Sequence, residues 1–310
     1  MNEAVDAQAK FIGAMTGTGL GDAIGEMAFR HREKKELLAA VEQRDRLTYT
    51  DDTAMTIGLA ESMADVGGLA SEHLGKTFSA YYGREPWRGY ASGPPTVFSK
   101  VLHQGMTYTE AAKTLYGGEG SYGNGAAMRI APLGLFFQGA SDLYEKARLS
   151  ATVTHAHKLG IDGAAVQARA VAQAVQLDPE KPFPIEGFLQ ALLDTARTDQ
   201  MAAKLTSVQD LVRERVPPQK AIGMLGQGVA VHESLPFALY SFARHPASFE
   251  DCLLCAVLHG GDRDTLGAMA CAVSGAYLGV QAIPRAWRHK LENRETIRRL
   301  AVTLVEMWRD

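Results

Sequence analysis

Cysteine is scarce in this sequence, with three residues in a chain of 310. So few thiols exclude a disulfide framework as the main source of stability. Residues 1–10 also lack a basic stretch ahead of an apolar run, so we expect no secretory signal. Together these absences predict a protein of the reducing cytoplasm.

An excess of basic residues is absent as well, because the formal net charge is −3. General nucleic-acid binding relies on Lys and Arg side chains that neutralise phosphates, so the composition argues against that class of protein. The longest uncharged apolar stretch near the C-terminus covers residues 266–284. Its Gly and Ala content and its place after two Asp residues favour a buried helix over a membrane span.

Alternating polar and apolar segments of strand length are hard to find, whereas apolar residues recur at three- and four-residue spacing along most of the chain. Examples are residues 110–116, 143–156, 162–176 and 236–243. Glycine and proline clusters separate these runs, yet none is long or polar enough for an interdomain linker. We therefore predict an all-α protein, a single-domain orthogonal helical bundle over residues 1–310.

Two of the predicted helices carry small residues along one face. They lie in residues 11–27 and 266–279, and the small residues are Gly13, Gly17, Gly21 and Gly25 in the first and Ala268, Ala272, Gly275, Ala276 and Gly279 in the second. Glycine inside a helix costs roughly 1 kcal/mol relative to alanine. Repeating that cost on one face predicts that another backbone approaches each helix closely.

Two pairs of aspartates stand where helical runs begin. Thr50-Asp51-Asp52-Thr53 precedes residues 54–63, and Asp262-Arg263-Asp264-Thr265 precedes the small-residue helix from Leu266. Each pair alone is explained by helix capping, since free N–H groups and the helix dipole stabilise carboxylates. Together the pairs offer enough oxygen ligands for two hard divalent cations. Capping and metal binding both remain open at this stage.

Glycine is concentrated in residues 117–125, which have the sequence GGEGSYGNG. Dense glycine exposes backbone N–H groups, and with Ser121 such a loop could cradle phosphate oxygens. Tyr116 or Tyr122 could stack on a base. A plain turn cluster accounts for the same glycines, so the phosphate cradle is one of two interpretations.

Some other polar residues have simpler explanations. Cys252 and Cys255 are flanked by apolar residues, which predicts packing in the core. His155 and His157 are weak candidates for a soft-metal site, because an oxygen-rich site needs no imidazole. Asp22 is interpreted as a supporting or capping residue rather than a direct ligand.

Five motifs occur in the order found in ADP-ribosylglycohydrolases, and the resemblance runs over about residues 11–284. The motifs are Gly21-Asp22-Ala23-Ile24-Gly25, Tyr49-Thr50-Asp51-Asp52-Thr53-Ala54-Met55, Gly120-Ser121-Tyr122-Gly123-Asn124-Gly125-Ala126-Ala127-Met128-Arg129, Thr154-His155-Ala156-His157 and Gly260-Gly261-Asp262-Arg263-Asp264-Thr265. Within the family the chain looks most like the branch that acts on serine-linked ADP-ribose. That likeness rests on Arg88-Gly89-Tyr90, Thr96-Val97-Phe98, Ala147-Arg148-Leu149-Ser150 and Glu233-Ser234-x-Pro236.

The resemblance implies an all-helical fold and a hydrolase that removes ADP-ribose from a protein acceptor with two magnesium ions, manganese being an alternative. It assigns six residues to the metals, namely Thr50, Asp51, Asp52, Asp262, Asp264 and Thr265. It assigns the diphosphate to Gly120, Ser121, Tyr122 and Gly123, an adenine contact to Tyr116 and a ribose contact to His155. Asp51 or Asp52 would activate the attacking water as a general base.

The sequence departs from the family pattern at two positions. Phe29 stands where members often have a glutamate, and Glu26, one turn earlier, is the nearest acidic substitute and a third catalytic candidate. Arg263 separates the second Asp pair, where a small residue is usual. These departures leave open other acceptors, namely arginine, acetyl, nucleic-acid ends and poly-ADP-ribose. They also leave open a diphosphate-cleaving hydrolase and a binder of ADP-ribose without catalysis.

Overall fold

The computed structural model describes residues 7–309, and within that range it contains eighteen α-helices, two short 3-10 helices and no strand. The prediction of an all-α fold is confirmed. The α-helices are α1 Ala7–Ala28, α2 Lys34–Gln43, α3 Asp51–Val66, α4 Ser71–Arg84, α5 Gly93–Gln104, α6 Tyr108–Lys113, α7 Gly125–Met128, α8 Ala131–Phe136, α9 Leu143–Ala151, α10 Lys158–Ala174, α11 Ile185–Thr195, α12 Asp199–Arg213, α13 Pro218–Leu225, α14 Val231–Arg244, α15 Phe249–His259, α16 Arg263–Leu278, α17 Arg285–Lys290 and α18 Arg294–Arg309. The 3-10 helices are Tyr116–Gly118 and Val280–Ala282.

Helix boundaries follow local sequence signals. At the start of α6, Thr107 and Glu110 form a capping box, in which each side chain binds the other residue's backbone N–H. At the end of α3, Gly67 adopts a left-handed conformation with φ of 68°. The run predicted over residues 143–156 is shorter in the structure, because α9 ends at Ala151 and His157 caps the start of α10.

Helices α1 and α16 pack backbone against backbone at the centre of the fold, as their small residues predict. A Cβ atom added at Gly13, Gly17 or Gly21 would lie 2.3, 2.2 or 2.1 Å from a carbonyl oxygen of α16. The same holds in reverse, because a Cβ at Gly267 would lie 2.2 Å from the carbonyl oxygen of Gly21. No side chain larger than glycine fits along this line of contact, so the two helices have one relative position.

The hydrophobic core forms one main cluster that joins residues from Phe11 to Val305. Arg129 is an exception to its apolar character, since this side chain is fully buried. Its guanidinium lies 4.6 Å from the centre of the Phe78 ring, a cation–π distance. None of the described helices combines the length and the apolar content that crossing a membrane would require.

Candidate active site

Asp22, on α1, fixes the start of α3. Its two carboxylate oxygens accept hydrogen bonds from the backbone N–H groups of Thr50 and Thr53 at 2.9–3.0 Å. They also accept from the hydroxyls of both threonines, at 2.8 Å from Thr50 and 2.6 Å from Thr53. Asp22 is completely buried, so these four donors satisfy a carboxylate that has no access to water. Asp22 therefore fixes the position of the turn that carries Asp51 and Asp52, the first acidic pair.

The first acidic pair lies in the opening turn of α3, with Thr50 as the N-cap residue. Asp52 is buried, and the Thr50 hydroxyl stands 3.3 Å from its Oδ2 atom. No donor in the described part of the chain reaches Asp52 Oδ1, although that atom is also buried. A buried acceptor without a partner is costly, which makes Asp52 Oδ1 a position where a bound cation would fit.

The second acidic pair lies at the start of α16, where Asp262 is the N-cap residue and Asp264 is in the first turn. Asp264 Oδ1 accepts a hydrogen bond from the backbone N–H of Thr265 at 3.0 Å. Arg263 points away from the pair, because its guanidinium donates to the carbonyl oxygen of Val257. The arginine therefore does not neutralise the pair, and the Asp264 carboxylate interacts with those of Asp262 and Asp22.

Burial and mutual repulsion raise the pKa values of these carboxyl groups. Burial is the first cause throughout; the pKa of Asp51 rises to about 7 and that of Asp264 to about 8. The pKa of Asp52 is well above its ordinary value, through burial and then the charges of neighbouring aspartates, Asp22 first. Arg129 is a cation that opposes this effect at Asp51. We call Asp22, Asp51, Asp52, Asp262 and Asp264 the acidic cluster.

The acidic cluster does not present a finished ion site. Among the described residues, no three carboxylate, imidazole or thiol groups stand together so that they could hold a metal ion. Metal binding by the six predicted residues stays a prediction.

The glycine-rich loop, residues 116–125, lies against the acidic cluster. The Asn124 side-chain amide donates to Asp262 Oδ2 at 2.5 Å and to the Ser234 hydroxyl at 3.1 Å. The loop is also anchored to the start of α14 by main-chain bonds, since Asn124 N donates to Val229 O and Val231 N to Tyr122 O. The sequence did not reveal the contact between Asn124 and the second acidic pair.

Glycine is required inside this loop by close contacts. Gly120 has a φ of 75°, and a Cβ there would lie 2.7 Å from the backbone nitrogen of His157. A Cβ at Gly125 would lie 2.8 Å from an atom of the His155 ring. Ser121 is buried, and its Oγ accepts from the backbone N–H of Gly123 at 3.2 Å. The predicted diphosphate residues are therefore held in one compact turn.

His155 lies under the loop and is held by Arg129 through Thr154. Arg129 donates to the Thr154 hydroxyl at 2.8 Å and to the carbonyl oxygens of Gly125 and Ser150. The Thr154 hydroxyl is 2.8 Å from His155 Nδ1. Burial, and then the charge of Arg129, lowers the pKa of His155 to about 3, so the imidazole is neutral. A neutral ring is compatible with the predicted ribose contact, whereas it argues against a role as a proton donor.

The glycine-rich loop carries two exposed aromatic side chains. Tyr116 and Tyr122 are 59% and 48% exposed, so both have free ring surface for a base. The Tyr122 ring also contacts His157, with ring centres 5.3 Å apart, and His232 at 6.3 Å. His232 is a neighbour of the loop that the sequence analysis did not identify.

Tyr90 is a second residue that the sequence analysis did not place in the site. The charge of Asp51, after burial, raises the pKa of Tyr90, so the two groups are neighbours. The preceding residue, Gly89, also lies close to the acidic cluster, because a Cβ added there would be 3.6 Å from Asp51 Oδ1. The Tyr90 hydroxyl is buried and has no partner in the described residues. It is a free donor beside the carboxylates.

Glu26 stands apart from the other predicted catalytic residues. It is exposed and lines a depression of about 180 Å³ with Thr48 and basic side chains, among them Arg30 and Arg44. It is not among the carboxylates that act most strongly on Asp52, which are Asp22, Asp264, Asp51 and Asp262. Phe29 is 39% exposed just beyond the end of α1. A catalytic role for Glu26 stays a prediction.

Comparison with known families gives a match over nearly the whole chain. The family described as ADP-ribosylglycohydrolase matches residues 3–310. A solved structure named ADP-ribosylglycohydrolase-related protein complex superposes with a TM-score of 0.72 at 25% identity. That likeness covers 97% of this chain and 98% of the other.

Characterised sequences agree with this match. The chain is 33% identical to the ADP-ribosylhydrolase ARH3 of Mus musculus, over 97% of this chain and 92% of that protein. It is 35% identical to the ADP-ribosylhydrolase ARH3 of Xenopus tropicalis, over 91% of each. Both relatives align along almost their full length, so the likeness is not confined to one motif.

Proposed function

The chain belongs to the ADP-ribosylglycohydrolase family, and on that premise we propose that it is a magnesium-dependent hydrolase that releases ADP-ribose from serine in proteins. One observation carries the proposal: Asn124 of the glycine-rich loop donates to Asp262 of the acidic cluster at 2.5 Å. A diphosphate held by the loop would therefore place the ribose beyond it next to the carboxylates. The names of the ARH3 relatives support the same reaction class.

The donor set fits a hard divalent cation. Six residues would hold two magnesium ions through carboxylate and hydroxyl oxygens, which are Thr50, Asp51, Asp52, Asp262, Asp264 and Thr265. The unpartnered Oδ1 of buried Asp52 and the mutual repulsion of the cluster are relieved by positive charge at this place. Magnesium keeps several water ligands, so few carboxylates per ion suffice, and manganese accepts the same oxygen donors. When bound, such cations would supply positive charge that orients the substrate and stabilises the charge that develops in the reaction.

The protein's own residues bind and orient the substrate, and one of them accepts a proton from water. Gly120 N–H donates to the Leu115 carbonyl oxygen and Gly123 N–H to Ser121 Oγ, so the N–H groups of Ser121 and Tyr122 and the Ser121 hydroxyl hold the diphosphate. Neutral His155 lies below the loop. Asp51 or Asp52 takes a proton from a water molecule as its oxygen bonds to the anomeric carbon. The bond from that carbon to the serine oxygen breaks, and the serine oxygen takes the proton that the aspartate removed from water, directly or through solvent, and leaves as a hydroxyl.

Product analysis in ¹⁸O-water tests this function. A peptide carrying serine-linked ADP-ribose is incubated with the protein and magnesium, and products are identified by mass spectrometry. We expect intact ADP-ribose and unlabelled serine, because water attacks the sugar carbon and the serine oxygen stays with serine. The serine carries the information, since the anomeric hydroxyl of free ADP-ribose exchanges its oxygen with water. EDTA and an Asp262→Asn, Asp264→Asn variant are both expected to reduce the rate by at least about 100-fold, since each removes charge from the reacting centre.

Asp251→Asn is the matched control, because Asp251 is an exposed carboxylate in the first turn of α15, outside the acidic cluster. It is expected to keep the full rate. AMP and ribose phosphate as products would contradict the proposal in favour of diphosphate cleavage. Release of ADP-ribose from an arginine-linked peptide but not from the serine-linked one would support the hydrolase activity and contradict serine as the acceptor. Binding of ADP-ribose without release from either would contradict catalysis.

A further inference from the structure

A second pocket lies at the opposite end of α1 from the acidic cluster. Its volume is about 410 Å³, and its walls come from the first half of α1, the segment after α16, α17 and α18. The lining residues on α1 run from Gln8 to Thr16, whereas the acidic cluster is anchored at Asp22. At about 1.5 Å per helical residue, the two regions are separated by roughly 9–21 Å along α1. The pocket is therefore not part of the candidate active site.

Positive charge is concentrated in this pocket. The described residues that line it include four arginines and one acidic residue, Glu295, which together give a formal charge of +3; the arginines are Arg285, Arg288, Arg294 and Arg298. The whole chain has a formal charge of −3, so the local excess runs against the overall balance. Guanidinium groups repel one another when they share a cavity, and an anion between them lowers that energy.

Most of these charges have no carboxylate partner within residues 7–309. Arg294 pairs with Glu295 at 3.2 Å, but no carboxylate of the described residues forms an ion pair with Arg285, Arg288 or Arg298. The Nε atom of Arg288 is buried and lacks a hydrogen-bond acceptor in the described part of the chain. A buried guanidinium N–H without an acceptor is costly, so the pocket as it stands leaves a donor to be satisfied.

The form of the pocket indicates which anion it suits. Arginine forks bind phosphate oxygens in pairs, and a phosphate has enough oxygens and charge to bind several forks at once, which one carboxylate has not. Ile12 and Val280 add an apolar wall, and the volume falls within the range of small-molecule sites. We propose that this arginine pocket binds a phosphate ester of nucleotide size. The site is independent of the hydrolysis proposed above.

Calorimetric titration of the full chain tests the proposal, with inorganic pyrophosphate, AMP and ADP-ribose as probes. We expect AMP or pyrophosphate to bind with a stoichiometry of one and to weaken as salt is raised. An Arg288→Met, Arg298→Met variant is expected to bind at least about tenfold more weakly, since two of the forks are gone. Arg298→Glu is the second variant, because Arg298 is exposed and its replacement leaves the core intact.

Arg299→Met is the matched control, because Arg299 is the exposed neighbour on α18 that does not line the pocket. It is expected to bind like the parent protein. The Asp262→Asn, Asp264→Asn variant distinguishes this site from the active site, because it is expected to keep AMP binding. Tighter binding of AMP than of pyrophosphate identifies a terminal phosphate ester. A second ADP-ribose site that Arg298→Glu removes identifies the diphosphate of ADP-ribose.

Two results would overturn the proposal. One is the absence of binding by any probe, or binding that neither arginine variant weakens. The other concerns Glu3 and Asp6, which lie outside the described residues and precede the pocket wall at Gln8 in the sequence. If a probe binds only after Glu3→Gln and Asp6→Asn, the chain's own acids occupy the pocket and no external ligand is meant for it.

Discussion

At the scale of single residues, Asp22 contributes most to the geometry of the acidic cluster. Four hydrogen bonds from Thr50 and Thr53 end on its carboxylate. Each donor comes from the turn that carries Asp51 and Asp52. The position of both carboxylates therefore depends on a residue from a different helix.

We expect Asp22→Asn to impair the site more than the fold. Asparagine keeps the size but replaces one acceptor oxygen with a donor, so two of the four bonds are lost, at about 1–3 kcal/mol of unfolding free energy. The rate of ADP-ribose release should fall by more than tenfold, measured beside urea unfolding. Asp162→Asn is the control, because buried Asp162 accepts comparable bonds from Arg197 and Thr198 on another helix pair. Equal loss of rate in both variants would contradict a special role for Asp22.

Removing the Tyr90 hydroxyl should not lower the free energy of unfolding, in contrast to the Asp22→Asn change. Its hydroxyl is buried without a partner in the described residues, so Tyr90→Phe removes an unmet polar group and is expected to keep or raise the free energy of unfolding. If the hydroxyl donates to substrate beside Asp51, KM rises by roughly fivefold or more, equivalent to about 1 kcal/mol. Tyr82→Phe is the control, since Tyr82 packs edge-on against Tyr90. An unchanged KM would exclude the substrate contact.

At the scale of helices, the contact between α1 and α16 has the strictest steric requirement. We expect Gly17→Ala to lower the free energy of unfolding by about 1–3 kcal/mol, because its Cβ would lie 2.2 Å from the Cys271 carbonyl oxygen. Gly187→Ala in α11 is the matched control, since no atom lies within 4 Å of its Cβ. That change should stabilise by about 0.5–1 kcal/mol, as usual for an open helix position. Chemical denaturation measures both, and equal effects would contradict the close contact.

The sequence predicted these elements well and their long-range contacts poorly. The glycine and alanine series predicted that another backbone approaches each of these helices closely, because a repeated local cost is visible in the sequence itself. It did not predict that α1 and α16 are each other's partners. Helix starts were expected at residues 54 and 266, but the helices begin at Asp51 and Arg263, since Asp and Thr are also accepted within a first turn. The bond between Asn124 and Asp262 joins residues 138 positions apart, and no periodicity encodes such a pair.

At the scale of the whole molecule, the acidic cluster couples stability to pH. The pKa values of Asp51 and Asp264 are about 7 and about 8 in the folded protein, raised by burial first and then by neighbouring carboxylates. The ordinary value is 3.8, so above that pH the unfolded chain releases protons that the folded protein retains. The free energy of unfolding therefore decreases as pH rises from about 4 to about 8 when no divalent cation is present.

Urea denaturation in EDTA across that pH range measures this decrease. We expect Asp51→Asn, Asp264→Asn to reduce the slope without abolishing it, because these two side chains no longer titrate while buried Asp22 and Asp52 keep raised pKa values. Magnesium should stabilise the parent protein more at pH 8 than at pH 5, since cations compete with the same protons. A flat profile for the parent protein in EDTA would contradict the raised pKa values.

The backbone contact between α1 and α16 limits how the site can be modified in evolution or by design. Side-chain interfaces can be retuned by new rotamers and new volumes, but no side chain lies between Gly21 and Gly267. The spacing of Asp22 and Asp264 is thus fixed by atomic radii, and changing it would require rebuilding both helices. A change in the site must instead come from segments whose side chains can be replaced without moving these two helices. Helices α1 and α16 therefore keep this spacing constant, and variation in the site is limited to the residues around them.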